Sequence, residues 1–244
     1  MRFDYQFSDT TAPRLGLIVL QTDERIETDF RALLPADCEL FVTRVPSAPD
    51  VSPETLAQMK HHLPDAARLL PNARRFGAVG YGCTSGTAQI GQAQIGDLVR
   101  QGCDTQAVSD PLSALVAACG ALGLRRLAFL SPYVADVSDR LRAALGEHAI
   151  QTPVFGSFEE ASEAQVARIS PVSVQKAARD LAARGGVDGV FLSCTNLNTL
   201  SVIEPLEAET GVAVLSSNQV LAWHLAHLAG IAAPPLGRLG QVAP

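Results

Sequence analysis

Two Cys-Thr pairs are the groups in this chain best suited to chemistry: Cys83-Thr84 in GYGCTSGT and Cys194-Thr195 in LSCTNLNT. Each follows a short apolar run of strand character and precedes a helical pattern. A cysteine in that place faces the N–H groups of the following helix. Their partial positive charge favours anions and lowers a thiol pKa from about 8.5 toward neutrality. We therefore expect two activated thiols, each beside an anion cradle. Two thiols on opposite faces of one bound molecule suit proton chemistry. One, as thiolate, removes a proton or attacks carbon, and the other delivers a proton from the far side. Thr84, Ser85, Thr195 and Asn196 supply hydrogen bonds for a carboxylate or its enediolate. No metal, flavin or nicotinamide is required. The competing account of a strand-end cysteine is core packing, since free cysteine is among the most buried residue types. That account is adopted here for Cys38, Cys103 and Cys119.

The elements that must position these groups alternate along the chain. Strands are expected at 15–20, 40–45, 76–82, 105–110, 127–131, 152–156, 189–193 and 212–216. Helices are expected at 24–34, 53–70, 86–100 and after 110, then from 134, up to 183, from 199 and over 218–229. Such alternation predicts parallel α/β sheets, and in open sheets of this kind ligands bind outside the carboxyl ends of the strands. An internal repeat sharpens the expectation. A slide of 111 residues lays 16–23 on 127–134, 40–45 on 151–156 and 76–87 on 187–198, and it brings Cys83 onto Cys194 and Thr84 onto Thr195. The fourth strands match after a further shift of a few residues. The chain thus reads as two similar four-stranded α/β halves related by a pseudo-twofold axis, with the active site between them. The first half is expected to comprise 1–110 plus about 218–244, and the second 111–217.

Composition excludes several alternatives. The 244 residues are 47% hydrophobic and 18% charged, with a net charge of −6 and no basic stripe, so nucleic-acid binding is not expected. No apolar run approaches the roughly 18 residues of a membrane span, and the first residues lack a signal-peptide core. A cytoplasmic, reducing setting is expected, with five cysteines and no CxxC pair to suggest disulfides or structural zinc. GYGCTSG departs from the dinucleotide fingerprint at Ser85, and no Walker A motif occurs. His224 and His227 lack a third ligand partner and read as packing or surface. Glu159, Glu160 and Glu163 form a charge run of a kind that is more often a helix N-terminal cluster than a site.

GLIVLQTDERIE, GCTSGT, SPY and LSCTNLNT together resemble the Asp/Glu racemase superfamily, and within it the branch of maleate cis-trans isomerase and arylmalonate decarboxylase. Within that branch the chain is similar to the ectoine-utilisation proteins. The resemblance covers nearly the whole chain. It implies two Rossmann-like halves with the site between them, no cofactor, and a pair of catalytic cysteines where decarboxylases carry one. It also implies that Thr84, Ser85 and Tyr133 hold a substrate carboxylate, although Tyr133 could equally pack at the crevice mouth. The block LQTD places Gln21 and Asp23 where the isomerases read PSSN. Asp23 stands in place of a carboxylate-binding amide, and Glu163 aligns with a second substrate-binding Asn. Two acidic groups there would repel a dicarboxylate and suit a cationic nitrogen. The other reading of Asp23 is a cap on the helix that follows.

The expected function is a racemase or cis–trans isomerase acting on a small-molecule carboxylate, with a dimer as the default assembly. Its rivals are a non-catalytic small-anion binding protein and an arylmalonate-type decarboxylase.

Overall fold

A computed structural model describes residues 1–7, 12–232 and 234–242. Along the chain the order is β1 (Arg14–Leu20), α1 (Ile26–Leu33), β2 (Glu39–Val45), α2 (Pro53–Gln58), α3 (Leu63–Arg68), β3 (Phe76–Gly82), α4 (Thr84–Ile90), α5 (Gln92–Gly102), β4 (Thr105–Ser109) and α6 (Pro111–Leu122). There follow β5 (Arg126–Ser131), α7 (Ala135–Glu147), β6 (Gln151–Ser157), α8 (Glu163–Val166), α9 (Pro171–Ala182), β7 (Gly189–Leu192), α10 (Ile203–Thr210), β8 (Ala213–Ser216) and α11 (Ser217–Leu228).

The strands form two four-stranded parallel sheets, ordered β2-β1-β3-β4 and β6-β5-β7-β8. The two orders are the same, as the internal repeat requires. Every residue of β1 and of β7 is buried, which is why β7 and, after the buried Arg14, β1 read as unbroken apolar runs rather than as alternating ones.

Two expected helices are divided. Pro64 lacks an N–H and its ring opposes the preceding turn, so 53–70 splits into α2, a 3-10 turn at Met59–His61, and α3 with Pro64 in its first turn. The helix expected over 86–100 begins earlier, at Thr84, and breaks at Gly91, whose φ of 97° is open to glycine but strained for other residues. The tail is largely irregular, with one 3-10 turn at Leu239–Gln241.

Contacts between the halves are specific. The β2–α2 and β6–α8 connections, equivalent under the repeat, meet in an isolated antiparallel bridge between Asp50 and Ser162. Val51 N–H donates to the Ala161 carbonyl and Glu163 N–H to the Pro49 carbonyl, each at 3.1 Å. Helix α11 leaves β8 of the second sheet and packs on β3, β4, α1 and α6. At its start, Asn218 Nδ2 donates to the Thr195 carbonyl at 2.7 Å and to Asp29 Oδ2 at 2.8 Å.

Asp29 is buried, and desolvation raises its carboxyl to about 6, against the opposing hydrogen bond from Asn218 and the charge of Arg25. Between about pH 4 and 6 the folded chain keeps a proton that the unfolded chain has released. This group therefore lowers stability as pH rises through that window. Asp29→Asn, whose amide oxygen still accepts from Asn218, should remove up to about 3 kcal/mol of that fall. Urea melts at pH 4.5 and 7.5 check this; an unchanged difference between the two pH values would contradict the assignment.

Candidate active site

The carboxyl ends of β3 and β7 deliver the two cysteines to one buried cleft. Cys83 is the N-cap of α4, and its Sγ accepts the Gly86 N–H at 3.1 Å. Only glycine fits at position 86. A Cβ there would lie 2.6 Å from Tyr81 Oη and 2.8 Å from Cys83 Sγ. Cys194 follows β7 with φ of 133°, an unusual conformation for a residue with a side chain. Its Sγ accepts the Asn196 N–H at 3.2 Å, and its own N–H donates to Ser217 Oγ at 3.0 Å.

The threonines that follow the two cysteines both reach across the chain. Thr84 Oγ1 donates to Ser217 Oγ at 2.8 Å, so one hydroxyl at the start of α11 serves both cysteine motifs. Thr195 Oγ1 donates to the Gly82 carbonyl at 3.3 Å, one residue before Cys83. These two crossing bonds connect the paired motifs.

Both thiols, the side chains of Thr84, Ser85, Thr195, Tyr133 and Glu163, and an apolar wall of Leu20 and Leu56 enclose about 10 Å³. That is about the space of one water, so the cleft must open to admit a substrate. Tyr133 O–H donates to Glu163 Oε1 at 2.7 Å and lies 3.0 Å from Cys194 Sγ. Asn196 Nδ2 donates to Glu163 Oε2 at 2.8 Å, and Asn196 Oδ1 accepts the Glu24 N–H at 2.9 Å. Asn196 is thus committed to protein partners rather than left facing the cleft.

Of the two roles expected of Asp23, the structure shows the cap. Oδ1 accepts the N–H groups of Arg25 and Ile26 at 2.8 Å and so holds the start of α1. Oδ2 is buried without a hydrogen bond; the Thr195 hydroxyl beside it donates to Gly82 instead. Gln21 does not join the site. It is exposed at the end of β1, and its backbone N–H pairs with the Val45 carbonyl.

The electrostatics depart from expectation in sign. Burial pushes the Cys83 thiol up to about 12; the Gly86 N–H opposes this and the Glu163 charge adds to it. Cys194 is pushed well above its ordinary value by burial and by Glu163. Burial also raises Asp23 and Glu163. Cys194 is followed by a turn rather than by the expected helix start, so its one N–H comes from Asn196 in that turn, whereas the Gly86 N–H on Cys83 belongs to the first turn of α4. One backbone N–H per thiol cannot offset full desolvation beside two carboxylates, so in the closed cleft both cysteines are protonated at neutral pH.

Tyr81 and Ser217 were not singled out in the sequence. Tyr81 stands two residues before Cys83, a spacing that puts both on one face of an extended strand. Ser217 lies beyond the last strand and carries no comparable signal.

Comparison with known proteins places this geometry among characterised relatives. The family model for arylmalonate decarboxylase matches residues 16–239. A maleate isomerase from Nocardia farcinica is 26% identical over 240 residues, covering 93% of this chain and 94% of that protein. An arylmalonate decarboxylase from Bordetella bronchiseptica is 36% identical over 123 residues, spanning 49% of this chain and 51% of that protein. The structure of a Nocardia farcinica maleate cis-trans isomerase mutant, with a covalently bound succinylcysteine intermediate, matches with a TM-score of 0.82 at 25% identity. It covers 95% of this chain and 100% of that one.

The backbone at position 194 carries its own test. Glycine ordinarily destabilises an ordered segment relative to alanine by roughly 0.5–1 kcal/mol. At φ of 133° the order should reverse. Cys194→Gly should melt at or above Cys194→Ala, by about 1 kcal/mol, in thermal unfolding followed by circular dichroism. If the alanine variant is clearly the more stable, the backbone there is not strained.

Proposed function

The chain belongs to the arylmalonate decarboxylase family, and from that premise we propose that it is an enzyme of the isomerase branch, a cofactor-independent two-cysteine isomerase of a small carboxylate that also bears a cationic nitrogen. The observation that carries this reading is the convergence of Cys83 and Cys194, from equivalent strand ends of two similar halves, on one dry cleft lined by hydroxyls.

The chemistry follows from the pair. In cis–trans isomerisation, Cys83 acts as thiolate, its proton lost to solvent as the cationic substrate enters; Sγ then adds to one alkene carbon while the Cys194 thiol gives its proton to the other, leaving a Cys194 thiolate. The new single bond rotates, and elimination then returns the proton to Cys194 and frees Cys83. In racemisation, one thiolate takes the Cα proton and the opposite thiol supplies another to the far face. In either case charge develops on the substrate carboxylate; Ser85 lines the cleft as a donor for it, and the Thr84 and Tyr133 hydroxyls, which in the closed cleft donate to Ser217 Oγ and Glu163 Oε1, would have to turn from those partners to take part.

Substrate class follows from charge. Asp23 and Glu163 are both buried, burial raises both carboxyls, and the Asp23 charge adds to the rise at Glu163. A second substrate carboxylate placed against them adds like charge in a low-dielectric site. A cationic nitrogen offsets that charge and takes the unpartnered Asp23 Oδ2 as its acceptor. It also weakens the repulsion that holds the thiols protonated, so thiolate forms once substrate is in place. Ectoine-derived compounds have this combination of carboxylate and cationic nitrogen.

Incubation in deuterated water with maleate, aspartate and diamino carboxylates tests the reading. Turnover should favour the substrates that carry nitrogen. Cα deuteration then marks racemisation, and a thioether trapped on Cys83 marks covalent isomerisation. Cys83→Ala and Cys194→Ala should each reduce turnover by about a thousandfold or more; full activity in either sinks the two-thiol mechanism. Asp23→Asn keeps the cap on α1. It should lower kcat/KM for a cationic substrate by about tenfold, the equivalent of 1.4 kcal/mol, and raise it for maleate. Equal effects on both substrates would remove Asp23 from substrate selection.

A further inference from the structure

Glu163, Tyr133 and Cys194 form a continuous hydrogen-bonded chain that ends at one of the two reacting sulfurs. The Tyr133 hydroxyl has a single proton, and it is directed at Glu163 Oε1 at 2.7 Å. Toward Cys194, 3.0 Å away, the same oxygen is therefore an acceptor, and the proton on that contact belongs to sulfur. Glu163 is held for this task on its other side, where Asn196 Nδ2 donates to Oε2 and to the Glu163 carbonyl. Among the described residues no equivalent chain reaches Cys83, whose sulfur accepts the Gly86 N–H and lies against the Tyr81 hydroxyl. The repeat supplies two cysteines, and this chain makes them unequal.

We propose that Glu163 is the proton store of Cys194, exchanging a proton with it through Tyr133. The proposal rests on the two-thiol reading above. The transfer is balanced. The Cys194 S–H bond breaks as a proton passes to Tyr133 Oη, and the original Tyr133 O–H bond breaks as its proton passes to Glu163 Oε1. The products are a Cys194 thiolate, an intact tyrosine and a neutral carboxyl. The negative charge moves from Glu163 to sulfur, and the cleft neither gains nor loses charge. Run backward, the same exchange restores the thiol after Cys194 has given up a proton; run forward again, it restores the thiolate after Cys194 has taken one up. A dry cleft favours such a transfer over loss of the proton to solvent, because the number of buried charges is unchanged. Glu163 is then a positioning residue for this reaction, since it acts on sulfur through Tyr133.

Other groups facing Glu163 bear on its titration: Asp23 from the β1–α1 turn, Asn196 from the segment after β7, and the two thiols. If Glu163 acted on the thiols only by its charge, Glu163→Gln would remove a repulsion and speed alkylation of both cysteines. The relay predicts the opposite at Cys194. The experiment is peptide-resolved iodoacetamide alkylation of the full chain between pH 6 and 10, followed by mass spectrometry. At pH 7, Glu163→Gln should slow alkylation of Cys194 by about tenfold or more while Cys83 reacts no more slowly than before. Tyr133→Phe, which leaves the carboxylate in place but removes the relay oxygen, should slow Cys194 to the same extent. The double variant should be no slower than either single one, because the two residues act as a unit. Unchanged or faster reaction of Cys194, or losses that multiply in the double variant, overturn the relay. If Glu163→Gln fails to fold, Tyr133→Phe decides alone: Cys194 must slow. The two-thiol reading fails separately, by survival of turnover in Cys83→Ala or Cys194→Ala.

Discussion

Two adjacent residues at the start of α11 hold the site together. Ser217 Oγ accepts from Thr84 Oγ1 and from the Cys194 backbone N–H, so a single hydroxyl fixes the distance between the two cysteine motifs. Asn218 spends both amide hydrogens, one on the Thr195 carbonyl beside Cys194 and one on Asp29 of α1. Helix α11 is the one that leaves the second sheet and packs on the first. Its first turn is therefore where a shift of one half against the other would be felt, and the buried partners there resist it, because each broken bond leaves a desolvated polar atom. The strained backbone at Cys194 is consistent with this. A residue persists at φ of 133° only where its surroundings over-determine it, and the bonds to Ser217 and Asn218 bracket that residue.

Much of the fold could be read from the chain because the repeat left little freedom. Once Cys83 and Cys194 fall on each other at a constant offset, together with three strands, two sheets of equal order follow. Helix ends were less legible, for different reasons. The break at Pro64 comes from a residue whose disruptive effect is local and known, yet the apolar periodicity over 53–70 masked it. The break at Gly91 depends on a positive φ, which composition does not announce. Gln21 was placed by analogy with a motif, but β1 ends such that it faces solvent, and the neighbouring Asp23 turns inward.

The protonation of the thiols was not legible at all. A helix start argues for a lowered thiol pKa, and that argument is sound for an accessible cysteine. Here desolvation is larger, and it depends on how tightly the two halves close, a property of the assembled pair rather than of either motif. Tyr81 and Ser217 escaped notice for a related reason: each matters through a partner remote in the fold or hidden on the same strand face.

Closure and charge together explain why a site with two acidic groups beside two thiols is not self-defeating. Asp23, Glu163, Cys83 and Cys194 cannot all carry charge in a space of about 10 Å³, and the closed form resolves the conflict by keeping both sulfurs protonated. The conflict is relieved when something positive enters. A substrate nitrogen placed against Asp23 and Glu163 removes the repulsion at the moment a thiolate is needed. The thiols then stay unreactive in its absence, which protects them from oxidation and adventitious alkylation. Replacement of Asp23 by an amide removes one of the charges that oppose thiolate formation in the empty cleft and gives up part of that protection. The acidic pair thus couples two properties that are separable in principle, selection of a cationic substrate and activation of the thiols: Asp23 acts through charge in a buried cleft, and Glu163 also through the Tyr133 contact to Cys194.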